Sequence, residues 1–256
     1  METWIWLGRG PLFHIAFALM LLGLLRLLLL TLVELAEAYR RSSDRIVNWR
    51  ELRRQTLGWL FPIGRLWRQR PVYSTVSVLF HVGLLLTPLF LAAHVVLWKH
   101  AWTFAWPALP QSLANRLTLL AIAMGLALFL GRIGYAQARR LSRPQDVVWP
   151  LLLVIPFFTG YICANVAIGA TTYQTLMLIH VYAADVILML IPFTKIAHCV
   201  LAPLSQMVTA IAWKFPPGAG DRVAETLGYG DRPTWLLKAR LESAPAHTAS
   251  EEVLAK

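Results

Sequence analysis

Four histidines stand in pairs on two apolar stretches. His81 and His94 lie in TVSVLFHVGLLLTPLFLAAHVVLW, and His180 and His198 lie in TLMLIHVYAADVILMLIPFTKIAHCVL. An imidazole can give one ring nitrogen to a metal while the other holds a hydrogen bond. On one straight helix, His180 and His198, 18 residues apart, would share a face after about five turns and stand about 27 Å apart along the axis. The hydrocarbon core of a bilayer is roughly 30 Å thick, so one residue would sit near each side of it. Ionisable groups at such depths are costly and are functional candidates by default. Two helices that each offer a histidine at two depths can hold two stacked haems by bis-histidine ligation.

The rest of the chain is suited to placing such residues in a membrane. Of its 256 residues, 57% are hydrophobic, in runs too long and too continuous for a water-soluble domain. The expected fold is all-α, an integral bundle of five transmembrane helices at about 12–33, 75–98, 117–136, 147–170 and 175–201. Residues 1–212 then form the membrane domain, 34–74 a basic loop within it, and 213–256 a polar tail whose last dozen residues, from Pro245, read as disordered. The first apolar run exceeds a signal-peptide core and reads as a retained helix. Arginines concentrate in the loop after the first span (Arg40, Arg41, Arg45, Arg50, Arg53, Arg54, Arg65, Arg68 and Arg70) and after the third (Arg139, Arg140 and Arg143). The opposite loops carry little beyond Arg9, Lys99 and Arg116. The positive-inside rule therefore puts the N-terminus outside and the C-terminus in the cytoplasm. Residues 45–59 have helical periodicity, and this stretch can lie on anionic lipid, receive a soluble subunit, or serve as a basic loop that only fixes topology.

The net charge of +11 falls in loops between spans and comes with no nucleic-acid motif, so nucleic acid is not an expected partner. The two cysteines, Cys163 and Cys199, form no CxxC or CxxCH, which leaves the chain without the residues for an iron–sulphur cluster or a c-type haem. Both read as buried apolar fillers.

The segment HVYAADVILMLIPFTKIAH resembles the closing helix of the respiratory nitrate reductase gamma-subunit family, which includes membrane cytochromes b of sulphite-reductase-associated and heterodisulphide-reductase-like complexes. There, a histidine, an apolar stretch, Pro-Phe-Ser/Thr-Lys/Arg and a second histidine follow in that order. FHVGLLLTPLFLAAH is similar to the family's other ligand helix. The likeness covers all five spans in topology and is specific in the second and fifth.

The resemblance implies two haem b groups, a quinol or quinone site, and a place in the inner membrane of a prokaryote as the electron-transfer subunit of a multi-subunit oxidoreductase. It implies His81 with His198 at a proximal haem and His94 with His180 at a distal one. It also implies an iron–sulphur partner on the cytoplasmic side, with a cytochrome c on the outer face as a further option. The interval from His81 to His94 departs from the family pattern. Thirteen residues turn a straight helix about 220° beyond three full turns, so the two side chains do not share a face. Either a kink at Pro88 reorients one of them, or His100 replaces His94.

Other charged residues in the spans need partners. Arg26, Arg132 and Lys195 are candidates for haem propionates, which accept a guanidinium fork or an ammonium. Arg132 can instead reach back to the interface, and Arg26 can pair with Asp185. Asp185 can hydrogen-bond a ligand imidazole, take a proton from quinol, or hold an arginine structurally. His14 is a candidate for the quinone site or an interfacial polar group. Two competing readings are a haem-free membrane scaffold of a respiratory complex and a small proton or ion transporter, in which Arg26, Asp185 and the histidines line the path.

Overall fold

The computed structural model describes residues 1–42, 47–60, 68, 70–212 and 217–228, and among these every regular element is helical. The first helix, α1, runs Glu2–Arg41. It carries one π-turn at Gly8–Leu12 around Pro11, an extra residue in the turn that accommodates the missing proline N–H. Then come α2 (Trp49–Leu60), α3 (Pro71–Phe90), α4 (Ala92–Trp102), α5 (Gln111–Gly134), α6 (Ala136–Leu141) and α7 (Pro144–Asn165). Beyond these lie α8 (Ala170–Leu190), two 3-10 turns (Ile191–Phe193 and Lys195–Ala197), α9 (His198–Ile211) and α10 (Ala219–Thr226).

Five helices are long and apolar enough to cross a membrane: Glu2–Arg41, Pro71–Phe90, Gln111–Gly134, Pro144–Asn165 and Ala170–Phe193. Their outward faces are apolar, with Leu22, Leu85, Leu119, Leu130, Phe158 and Val186 all exposed. Only lipid gives such a surface a favourable solvent. The chain is a multi-pass helical membrane protein.

The chain divides into two units. One comprises Met1–Leu32 with Arg50–Gln206, and the other Val33–Trp49 with Met207–Lys256. In the first, α3 packs on α5, α5 on α7 and α7 on α8, and the opening turns of α1 lie on α8. Without a hydrophobic drive between helices in lipid, close backbone approach over small residues supplies the packing. At Gly83, an added Cβ would stand 2.7 Å from the Leu117 carbonyl oxygen and 2.9 Å from Ala121 Cβ, so α3 and α5 meet backbone to backbone. The helix starts are set locally. Proline opens α3 and α7, where its absent N–H costs nothing, and the Asp146 carboxylate accepts the Arg143 N–H at 2.9 Å at the head of α7. In the second unit the Ser42 hydroxyl donates to the Tyr39 carbonyl, Arg41 pairs with Glu37, and Ile211 is buried.

Several boundaries differ from the sequence expectation, and two differences matter. The second apolar stretch is not one helix. It ends at Phe90, Leu91 is extended (φ −65°, ψ 131°), and a new helix begins at Ala92. The fifth span ends at Phe193, Thr194 is extended (φ −128°, ψ 177°), and His198 opens the next helix. His180 and His198 therefore do not share one straight five-turn helix. Pro192 lacks the N–H that would continue α8, and the chain turns there. The cysteines also differ from expectation: Cys199 is exposed and Cys163 half-buried. Of the helical reading of 45–59, residues 49–59 fall in α2, 47 and 48 precede it, and 45 and 46 lie outside the described residues. Of the tail 213–256 only 217–228 is described, so the residues from Pro245 lie outside the described residues.

Candidate functional site

The two breaks bring the histidines together. The rings of His81 on α3 and His198 at the start of α9 have centroids 6.0 Å apart at an interplanar angle of 83°. Those of His94 on α4 and His180 on α8 are also 6.0 Å apart, at 24°. His100, in the last turn of α4, is exposed, and it is His94 that faces His180.

Each ring is anchored the same way. Nδ1 of His81 donates to the Ser77 carbonyl at 2.7 Å, Nδ1 of His94 to Pro88 at 3.0 Å, Nδ1 of His180 to Pro156 at 2.7 Å, and Nδ1 of His198 to Lys195 at 2.8 Å. A carbonyl can only accept, so in the neutral ring Nδ1 carries the proton and Nε2 presents its lone pair. Metal-bound histidines are held in this manner, the second ring nitrogen donating to a carbonyl or carboxylate that fixes tautomer and orientation.

The anchors come from the breaks themselves. Ending α3 at Phe90 frees the carbonyls of Pro88, Leu89 and Phe90 from helical partners. His94 Nδ1 takes the first, Trp106 Nε1 donates to Leu89 at 2.8 Å, and the Leu109 N–H donates to Phe90 at 2.9 Å. The loop after α4 thus folds back to cap α3. Phe13 and Phe17 on α1 clasp Trp98 and Trp102 on α4, with centroids 4.9–6.0 Å apart, and this fixes the short helix that carries His94. The Pro156 carbonyl is reached by His180 across Gly160, where an added Cβ would stand 2.8 Å from Cε1 and 2.9 Å from Nδ1 of His180. Gly160 and the four anchoring carbonyls are parts of the site that sequence reasoning missed. Nothing in their local pattern shows which residue they face.

Two imidazoles fall short of the three or four protein ligands of a zinc-type site. Among the described residues no group of three or more His, Cys, Asp or Glu is placed to hold a metal. Facing pairs suit a metal whose remaining ligands come from a macrocycle. In each pair the two imidazoles would be the residues to hold such a group.

The other candidates are placed as follows. Lys195 Nζ lies 2.6 Å from both carboxylate oxygens of Asp146, so its charge is already met. Arg132 donates to the Ser142 hydroxyl at 3.3 Å and to the Tyr73 hydroxyl at 3.4 Å, and this ties the end of α5 to the start of α3. Arg26 is exposed on α1 and does not pair with Asp185. Asp185 is 2% exposed, and its Oδ2 has no hydrogen-bond partner among the described residues. His180 spends its Nδ1 on Pro156 and not on Asp185. His14 belongs to neither pair. Its Nδ1 meets the Gly10 carbonyl at 2.7 Å, its Nε2 lies 3.5 Å from the Ala101 carbonyl, and its ring edges onto Trp102.

The fold and site define a multi-pass helical membrane protein with two pairs of carbonyl-anchored histidines, of which His81, His94 and His180 are half-buried and His198 is exposed. A protein of Nitratidesulfovibrio vulgaris (strain Hildenborough), called simply "Protein", is 37% identical to this chain over 169 residues, 65% of this chain and 73% of that one. The chain belongs to one family with it. No family model matches the chain, and no solved structure matches it.

Proposed function

We propose that the protein is a membrane cytochrome b subunit that exchanges electrons between the quinone pool and a partner redox subunit through two b-type haems. The observation that carries this reading is the meeting of His81 with His198 and of His94 with His180, each ring held by a carbonyl at Nδ1 and leaving Nε2 to a metal. A bis-histidine haem supplies reversible one-electron transfer and leaves iron no open position for oxygen chemistry. This chain's own residues set the spacing and orientation of the two ligand pairs. On this reading the chain is one member of the nitrate reductase gamma-subunit superfamily and one component of a larger oxidoreductase.

The arginine-rich segments after the first and third spans put those loops in the cytoplasm, the N-terminus outside, and the C-terminus inside. His81 and His198 then stand toward the cytoplasm and His94 and His180 toward the outer face of a prokaryotic inner membrane. The redox partner is an iron–sulphur subunit on the cytoplasmic side, with a cytochrome c on the outer face as a further option. A dithionite-reduced minus oxidised spectrum of the purified protein tests the reading. A b-type alpha band is expected, and a featureless spectrum from folded protein would transfer the fold to a haem-free scaffold or a transporter.

A further inference from the structure

Asp185 is a carboxyl that the ligand scheme leaves unused. It stands four residues after Val181 and seven before Pro192 in the last span, so the three share one helix face. Both neighbours on that face touch α1. A Cβ added at Gly8 would stand 2.5 Å from Val181 Cγ1, and one added at Gly23 would stand 2.6 Å from Pro192 Cβ. Asp185 therefore lies in the seam between α1 and α8, where it is 2% exposed and its Oδ2 is without a hydrogen-bond partner among the described residues. The charged and titratable groups of the packed elements are placed otherwise. On α1, Arg9 and Arg26 are exposed, and His14 turns its ring to the Gly10 and Ala101 carbonyls. Helix α7 carries none from Val147 to Gly160, its Asp146 is bound to Lys195, and its Cys163 meets the Tyr173 carbonyl at the outer end. On α8, His180 spends Nδ1 on Pro156 and faces His94, and Tyr182 donates to the Trp4 carbonyl at 3.2 Å. An ionised Asp185 has no cation beside it among these groups, and such a charge is costly inside a membrane.

We propose that Asp185 is a redox-linked proton site, which takes up one proton from water when an electron arrives at the histidine pairs and releases it when the electron leaves. The proposal rests on the cytochrome reading and adds the proton that accompanies the electron. With two neutral imidazoles as ligands, the core of a ferric haem b carries one net positive charge, and that of a ferrous one carries none. A bound ion is often the largest charge in its surroundings and inverts the preference of a nearby acid. Asp185 is five residues from His180, about 7.5 Å along the axis of α8 and turned about 140° from it. It therefore acts through the field and not as a partner of the ligand ring. The ferric core supplies the positive charge that an ionised Asp185 lacks. Reduction withdraws that charge, and a carboxylate left alone in hydrocarbon takes a proton. The balance is one electron gained by the iron and one proton gained by the carboxylate, with the O–H the single bond formed. Oxidation breaks that bond and returns the proton to water. The membrane interior thus gains no net charge as electrons pass.

The test is a spectroscopic redox titration of the full chain in lipid nanodiscs over a range of pH, with haem counted on the same sample. In the wild-type chain the midpoint potential of at least one haem is expected to fall as pH rises, because loss of the proton favours the ferric form. The fall is at most about 59 mV for each tenfold drop in proton concentration. Asp185→Asn, close in size to the neutral carboxyl, is expected to keep both haems and lose most of that dependence. A reduced-minus-oxidised infrared spectrum reads the carboxyl itself. It should show a protonated C=O stretch gained on reduction, shifted in Asp185→Glu and absent in Asp185→Asn. A potential independent of pH, or an unchanged dependence in Asp185→Asn, would overturn the proposal. Should Asp185→Asn fail to assemble, the wild-type and Asp185→Glu infrared spectra decide, and a band that is missing or unshifted overturns it. Absence of haem from folded wild-type protein overturns the cytochrome reading and this proposal with it, whereas a pH-independent potential from protein holding both haems overturns this proposal alone.

Discussion

His94 faces His180 because the chain breaks at Leu91. The same break frees the Pro88 carbonyl that holds the His94 ring by Nδ1 at 3.0 Å. A continuous helix would turn His94 about 220° away from the face of His81. The reorientation and the anchor are thus one event. The first prediction separates His94 from its neighbour on α4. His94→Ala loses the haem of that pair and halves the haem-to-protein ratio, while His100→Ala keeps both haems. Pyridine haemochrome assays on the two variants, normalised to protein, check this. A loss confined to His100→Ala would reverse the assignment.

Gly160 gives a second prediction. The imidazole of His180 lies where a methyl would stand at 2.8 Å from its Cε1, and overpacking of this kind costs about 1–3 kcal/mol. Gly160→Ala displaces His180 and depletes the His94–His180 haem, leaving the other in place. Haem content and size-exclusion profile, measured together, distinguish this from general misfolding. A variant with both haems at wild-type occupancy would mean that the close approach is not needed.

The two pairs differ in ring geometry, and this yields a third prediction. Rings at 24° lift the degeneracy of the iron d orbitals and give a rhombic low-spin signal, whereas rings at 83° leave it nearly intact and give a strongly anisotropic one. Paramagnetic resonance of the oxidised protein should show one signal of each kind. His180→Ala removes the rhombic signal and His198→Ala the anisotropic one. Two signals of the same kind would contradict the ring angles.

Lys195 holds His198 through its backbone carbonyl, while its side chain is committed to Asp146. That side chain is 47% exposed, so the ion pair contributes no more than about 1 kcal/mol. Lys195→Ala is expected to keep both haems and to shift the thermal unfolding midpoint only slightly. A lost haem or a large change in its midpoint potential would show that the ammonium contacts the cofactor.

That His81 lies beside His198 and His94 beside His180 was expected from residue type, apolar setting and span topology, whereas the intervals along each stretch pointed to helices that the structure breaks. The five spans were legible from hydropathy. The breaks at Leu91 and Thr194 were not, since apolar residues run through both and hydropathy measures transfer to lipid, not backbone direction. Pro88 signalled a disturbance, yet the helix gives way three residues later, where the returning loop of Trp106 and Leu109 satisfies the freed carbonyls. Pro192 lay in plain view, but the matching five-turn interval favoured one straight helix, and the structure replaces it with a turn. Gly160 was invisible for a different reason: its importance comes from a residue on another span, and a local pattern holds no record of that approach.

The central claim is that four histidines hold two haems, and counting haem per chain tests it most directly. A pyridine haemochrome assay on the purified protein, against protein measured by amino-acid analysis, should give two haem b per chain, and one in each single variant of His81, His94, His180 or His198. A folded protein with no haem, or single variants that leave the count unchanged, would contradict it.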